Sequence, residues 1–430
     1  MTNAVKILSP RVEAIAAAAS ESNRRPLDEL WAEIAETGGP LFEPTDDEST
    51  TLVTFLWRDD GNTENVLVLF FTAPTDGDFS DVMLERVPGT DLWFRTYELP
   101  SQLRTTYVFS VNDSLRPFTS YAEVMTRIPG YRTDPLNPKT YTLVSNPSEF
   151  KVSVLELPLA PKQPWNIPRR GVPRGQIDLH ELTSEILRTK HHVSVYTPPG
   201  YSDAAEPYHV FVLFDGWSYY NFASVTTVLD NLLYVGRIPP YVLVLHTNED
   251  QAVRDHELPC NEHFQSFLVS ELMPWIHDHY NISADPAKTV VGGSCFGGIG
   301  AAFAALRSPE RFGNVISQSG SYWWPGRESD LGEDWLIRQF ENEEKLPIRF
   351  ALDIGSLEVG SLDYDPMTAH RRFAAVLTEK GYEIDYQEYV GGHDMVCWRG
   401  SIVDRLLSFH PKAVAASSGC PATVAAKENH

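Results

Sequence analysis

At 430 residues, with 42% hydrophobic and 11% aromatic content, the chain is long enough for more than one core and too apolar to be globally disordered. A formal net charge of -23 repels polyanions at range and argues against nucleic acid and anionic membrane surfaces as partners. No segment approaches the roughly 18 apolar residues of a membrane span, the opening MTNAVKILSPRVEAIAAAAS lacks a signal-peptide apolar run, and four cysteines without a C-x-x-C pair build neither a disulfide framework nor a zinc site, so a cytoplasmic protein with reduced thiols is expected.

In chain order, LDELWAEIAE carries apolar residues at helical spacing, so a helix precedes the first domain core. From about Thr51 to Thr142, short apolar runs (TLVTFLW, NVLVLFF, DVMLERV, LWFRTYEL, TTYVFSV) alternate with DDGN, PTDGD and PGTD turn signals, the pattern of an antiparallel β-sandwich. The N-terminal domain is therefore set at 1–156. The proline-rich passage 157–175, LPLAPKQPWNIPRRGVPRG, resists regular structure and reads as a linker or strap. From 176 to 410, buried-type strands (VFVLF, YVLVLH, TVVGG, NVISQSG, IRFALDIG, IDYQEYV) alternate with helical segments, which implies a mostly parallel sheet covered on both faces. Residues 411–430 read as a disordered tail. The expected fold class is α/β: an α/β-hydrolase domain with a mostly parallel sheet, preceded by an all-β, sandwich-like domain.

The chemistry concentrates in GGSCFGG, residues 292–298. A nucleophile elbow between strand and helix needs small residues two before and two after the attacking group. Cys295 has Gly293 and Gly297 there, whereas Ser294 has Phe296 at its second following position, so the frame selects the thiol. A helix N-terminus and a nearby imidazolium both favour thiolate. Chain order in such sheets is nucleophile, acid, histidine. That order points to His393, in VGGHDMVCWRG, as base, with His410 and His430 too far along. The orienting acid comes from LDIGSLEVGSLDYD, where Glu358 is preferred and Asp363 and Asp365 are alternatives. The backbone N–H groups of Phe296 and of Trp217, the latter in the DGWSYY loop, are the candidate oxyanion donors. Cys260 and Cys397 read as buried thiols.

RDHELPCNEHF, GGSCFGG, ERFGNVISQSGSYWW and GGHDMVCWRG, with DPLNP in the β-domain and the proline strap, resemble the enterochelin (enterobactin) esterase family over nearly the whole chain. The resemblance implies a cytoplasmic enzyme that hydrolyses the trilactone of ferric catecholate siderophores, needs no dissociable cofactor, and treats iron as part of its substrate. It carries the nucleophile to Cys295 and the base to His393, and sets Arg254 near the anionic substrate. Arg399 and Asp215 complete the candidate substrate-binding set, and the strap arginines Arg169, Arg170 and Arg174 could add positive charge. The family pattern has serine at position 295. A thiol there gives a thioester intermediate, which opens two other readings beside esterase: a thiol-dependent acyltransferase or cyclising, amide-forming thioesterase, and a non-catalytic ferric-siderophore binding protein.

Overall fold

The computed structural model describes residues 8–70, 77–118, 123, 126–145, 148–326, 329–359 and 365–410. The expected tail, 411–430, and Asp363 lie outside the described residues. The N-terminal region opens with two helices, Pro10–Ser20 and Arg25–Thr37, where the periodicity had marked only the second. Nine strands follow among the described residues: β1 (Leu41–Pro44), β2 (Thr50–Arg58), β3 (Val66–Phe70), β4 (Glu85–Arg86), β5 (Leu92–Pro100), β6 (Arg104–Val111), β7 (Tyr131–Arg132), β8 (Thr140–Ser145) and β9 (Ser148–Glu156). They form a four-stranded sheet, β1-β2-β5-β4, and a five-stranded sheet, β3-β6-β9-β8 with β7 on β6, every pairing antiparallel.

Strand alternation decides the layering. Val53 and Phe55 of β2, Val66 and Val68 of β3, and Tyr107 and Phe109 of β6 share one buried cluster between the two sheets. Leu67, Leu69 and Val108 point the other way and join the core of the second domain, so the five-stranded sheet is buried on both faces. The two helices cover the outer face of the four-stranded sheet, the first through Val12 and Ile15 and the second through Leu27, Leu30, Trp31 and Ile34. The strap over 157–175 contains one short 3-10 turn, Pro164–Asn166, and is otherwise irregular, as its prolines require.

The second domain holds an eight-stranded sheet: β10 (Gln176–Thr183), β11 (Lys190–Thr197), β12 (His209–Leu213), β13 (Tyr241–Thr247), β14 (Thr289–Ser294), β15 (Asn314–Gln318), β16 (Arg349–Gly355) and β17 (Glu383–Tyr389). Its order is β10-β11-β13-β12-β14-β15-β16-β17, antiparallel for the β10-β11 and β11-β13 pairs and parallel from β13 to β17. β14 (TVVGGS) is buried at every residue, as a central strand covered by helices on both sides must be. The strand order reverses between β13-β12 and β14, and ligand sites of open α/β sheets lie at the carboxyl ends of strands at such a switch point.

Candidate active site

β14 delivers Cys295 to that edge. Ser294 closes the strand fully buried, and Cys295 turns the chain with φ 55° and ψ -121° before the helix Phe296–Arg307 begins. A non-glycine residue in this region is strained and is held there by its surroundings. The surroundings leave no slack: a Cβ on Gly293 would lie 2.7 Å from the Gly297 carbonyl carbon, and one on Gly297 would lie 3.1 Å from Asp215 Oδ2. The glycine frame that singled out Cys295 thus corresponds to one close backbone approach, at Gly293, and one close side-chain approach, at Gly297. Cys295 is half-buried, and its Sγ has Ser321 Oγ at 3.5 Å.

Glu358 and His393 meet beyond β16 and β17. His393 Nδ1 lies 2.7 Å from Glu358 Oε2, and the ring packs edge-on to Trp398 with centroids 4.7 Å apart. Glu358, 1% exposed, also accepts from Ser319 Oγ at 2.6 Å and from the Gly355 N–H at 2.9 Å. Burial disfavours its charged form, but His393 and these donors outweigh burial and hold the carboxyl below its usual range. Ser319 is fixed in turn by the Trp398 Nε1–H at 3.0 Å. Asp365, the described alternative acid, caps the helix Pro366–Glu379 through the Thr368 N–H and is not in this network. His410 bonds the Tyr241 hydroxyl at 2.8 Å instead.

The thiol and the imidazole face each other electrostatically. Burial opposes a charged thiolate, yet the His393 charge, its hydrogen bond to Cys295 and the more distant Arg254 overcome it and hold the Cys295 thiol at about 7. Burial likewise opposes imidazolium, and Glu358 together with Cys295 raises His393 to about 10. Between those values the pair is poised as thiolate and imidazolium.

Arg254 reaches this centre from the helix Gln251–Glu257, with its guanidinium 5.9 Å from the Phe296 ring centroid. It is clamped in a fork by Asp215, Nε to Oδ1 at 2.5 Å and Nη2 to Oδ2 at 2.8 Å. Asp215 therefore orients Arg254. The Phe296 N–H opens the helix, where the first amide groups lack intrahelical acceptors. The Trp217 N–H donates to Thr247 Oγ1 at 2.9 Å, so an oxyanion must share or displace that hydroxyl. The Trp217 side chain is exposed at the rim and packs edge-on to Phe222, whose ring lies tilted against Tyr141 of the β-domain with centroids 4.9 Å apart. Arg399 is half-buried at the junction of strap and catalytic domain, with its Nε bonded to Gln163 Oε1 at 2.7 Å. Arg169 covers the Trp165 ring at 4.5 Å. Cys260 and Cys397 are buried free thiols whose ionisation burial pushes well up. Ser319, Ser321 and Trp398 lie within the sequence motifs but carry no role that spacing assigns; the positive φ of Ser319, 47°, has no sequence signature in a serine.

An esterase family model matches residues 184–409, and the enterochelin esterase N-terminal model matches residues 52–166. The iron(III) enterobactin esterase of Escherichia coli O6:H1 is 33% identical over 386 residues, covering 86% of this chain and 93% of the relative. The chain belongs to the enterobactin esterase family. Among solved structures, the Shigella flexneri enterobactin esterase, crystallised in the presence of enterobactin, aligns with a TM-score of 0.71 at 30% identity, over 89% of this chain and 97% of that one. The ferric enterobactin esterase of Salmonella typhimurium aligns with a TM-score of 0.74 at 28% identity, over 89% of this chain and 98% of that one. Enterobactin esterases thus share both domains with this chain, which is a hydrolase of the esterase type with an α/β-hydrolase domain behind a β domain. No helix among the described residues is long and apolar enough to cross a membrane.

Proposed function

We propose that this enzyme cleaves the ester linkages of a ferric catecholate siderophore of the enterobactin type, through an acyl-enzyme on Cys295. The observation that carries the reading is the thiol at a strained turn, held at about 7 by the imidazole that Glu358 orients at 2.7 Å. Cys295 Sγ attacks the ester carbonyl carbon, and the developing oxyanion meets the Phe296 N–H at the helix N-terminus and the Trp217 N–H once Thr247 yields it. The imidazolium of His393 donates its proton to the departing alkoxide, leaving a thioester and a free alcohol. Neutral His393 then takes a proton from water as the water attacks the thioester, and collapse releases the acid and restores thiolate and imidazolium. Glu358 keeps the ring in one tautomer and stabilises its charge. Arg254, oriented by Asp215, and Arg399 offer the positive charge that catecholate oxygens need. Iron enters and leaves with the substrate. A cytoplasmic site fits this chemistry, because a reducing compartment keeps the thiol free.

An amine acting in place of water on the same thioester would make the enzyme a transferase; the thiol nucleophile, held at about 7, favours that second reading because its intermediate is a thioester. Incubating the protein with ferric enterobactin, with and without an amine, and following products and the Cys295 peptide by mass spectrometry separates the two. The expected result is linear or monomeric hydrolysis product and an acyl adduct on Cys295, both abolished in Cys295→Ala. Turnover that survives Cys295→Ala removes the acyl-enzyme, and binding without turnover in either protein supports a binding protein instead. Cys295→Ser is expected to retain hydrolysis.

A further inference from the structure

His393 rides on a loop, Val390-Gly391-Gly392, whose two glycines give it little stiffness of its own, so its pins matter. Three come from the catalytic domain: the Leu357 N–H donates to Gly391 O at 2.9 Å, and the Tyr389 hydroxyl and the Asp394 N–H donate to Gly392 O at 3.0 and 3.1 Å. The others come from β6 of the N-terminal domain. Arg104 bridges Gly391 in parallel fashion, and Cys397 Sγ donates to Arg104 O at 3.1 Å. The approach is close enough that a Cβ on Gly391 would lie 2.8 Å from Arg104 O and 2.7 Å from Cys397 Sγ. Next to the histidine, buried Asp394 spends one oxygen capping the C-terminal helix Met395–Ser408 through the Cys397 N–H at 3.1 Å. Its other oxygen, Oδ2, accepts from Thr105 Oγ1 and from the Thr106 N–H, each at 3.1 Å, and at the longer distance of 3.5 Å from Thr106 Oγ1.

We infer that Thr105 is a positioning residue: through Asp394, the N-terminal domain sets where the His393 imidazole stands relative to Cys295. The inference rests on the reading of Cys295 and His393 as the reacting pair. A buried carboxylate with one donor removed keeps its desolvation cost and seeks another partner, and a shift of Asp394 is passed directly to His393, its neighbour in the chain. Misplacement of a base by a fraction of an ångström is felt in the chemical step rather than in substrate binding.

Thr105→Val removes the hydroxyl at nearly constant volume, and Thr105→Ser restores it. Hydrolysis of p-nitrophenyl butyrate and the pH profile of Cys295 alkylation by iodoacetamide are measured for both, beside His393→Ala. Expected for Thr105→Val is a fall in kcat on the order of tenfold with KM nearly unchanged, and an alkylation profile whose acid limb moves upward because the imidazolium no longer supports the thiolate fully. Thr105→Ser is expected to recover both. Unchanged kcat and profile in Thr105→Val, or a loss that leaves the profile in place and that serine does not repair, overturns the inference while leaving the catalytic pair intact. An unshifted profile in His393→Ala overturns the pair itself. If Thr105→Val does not fold, Asp394→Asn, which keeps a capping oxygen for the C-terminal helix, is read by the same two measurements against the same outcomes.

Discussion

A thiol held at about 7 and an imidazole raised to about 10 define a window of activity with a direction at each edge. Below the lower value Sγ is protonated and cannot attack; above the upper value His393 has lost the proton that the leaving group requires. Alkylation of Cys295 by iodoacetamide needs only the thiolate, so its rate is expected to rise through about pH 7 and stay level, whereas esterase activity falls again near pH 10. An alkylation midpoint at the unperturbed thiol value would show that His393 does not reach Cys295. Glu358→Gln removes the charge that supports imidazolium and puts an amide against the Ser319 hydroxyl. A loss in kcat on the order of 10²- to 10⁴-fold is expected, with the alkylation midpoint moving up. At this scale the sequence was informative where spacing carries geometry. Chain order separated His393 from His410, and distance from Gly355 favoured Glu358 over Asp365. It was silent on Ser319 and Trp398, whose roles arise from contacts between β15 and the C-terminal helix that no local pattern encodes.

The elbow is the element on which the centre turns. A Cβ on Gly293 would press on the Gly297 backbone and force β14 and the helix Phe296–Arg307 apart, while one on Gly297 would crowd the Asp215 and Phe214 side chains. Gly293→Ala is expected to cost about 1–3 kcal/mol of stability from overpacking, seen as a lowered thermal midpoint, and to reduce Cys295 alkylation even in the folded fraction because the thiol is re-aimed. Retained stability and alkylation would mean the turn relaxes freely. This element was legible because its constraint is local: seven consecutive residues hold both the strain and its relief. The sandwich and the parallel sheet were legible for a similar reason, their periods being written strand by strand. The hold of β6 on the histidine loop was not, since Thr105 and Asp394 are 289 residues apart and each looks ordinary in its own segment. The helix Pro10–Ser20 was missed too, because its fully buried side comes to only Val12 and Ile15, and the small Ala16 and Ala19 that pack beside them stand in a run of alanines that shows no contrasting stripe.

For the whole molecule, a net charge of -23 must be reconciled with an anionic substrate. Long-range repulsion and local attraction respond differently to salt. The Debye length shortens from about 30 Å at 0.01 M to about 8 Å at 0.15 M, which screens the distant surface carboxylates while groups in contact with substrate keep most of their attraction. Arg254 already shares its fork with Asp215, so its net field is reduced. Arg399 has only Gln163 on its Nε, makes no carboxylate pair among the described residues, and burial together with nearby Arg104 lowers its proton affinity, so a negative ligand would relieve an unfavourable charge there. KM for ferric enterobactin is therefore expected to fall as ionic strength rises over that range, opposite to the trend for an enzyme that steers its substrate by net charge. Arg399→Gln is expected to raise KM about tenfold, the worth of one charge-assisted hydrogen bond, with kcat on neutral p-nitrophenyl butyrate unchanged. Glutamine at Arg169, Arg170 and Arg174 together is expected to do less, because exposed strap charges are screened like the rest of the surface. Steady-state kinetics at both salt levels decide it: a KM that rises with salt, or a strap variant more damaging than Arg399→Gln, would place the decisive positive charge outside the junction of strap and catalytic domain.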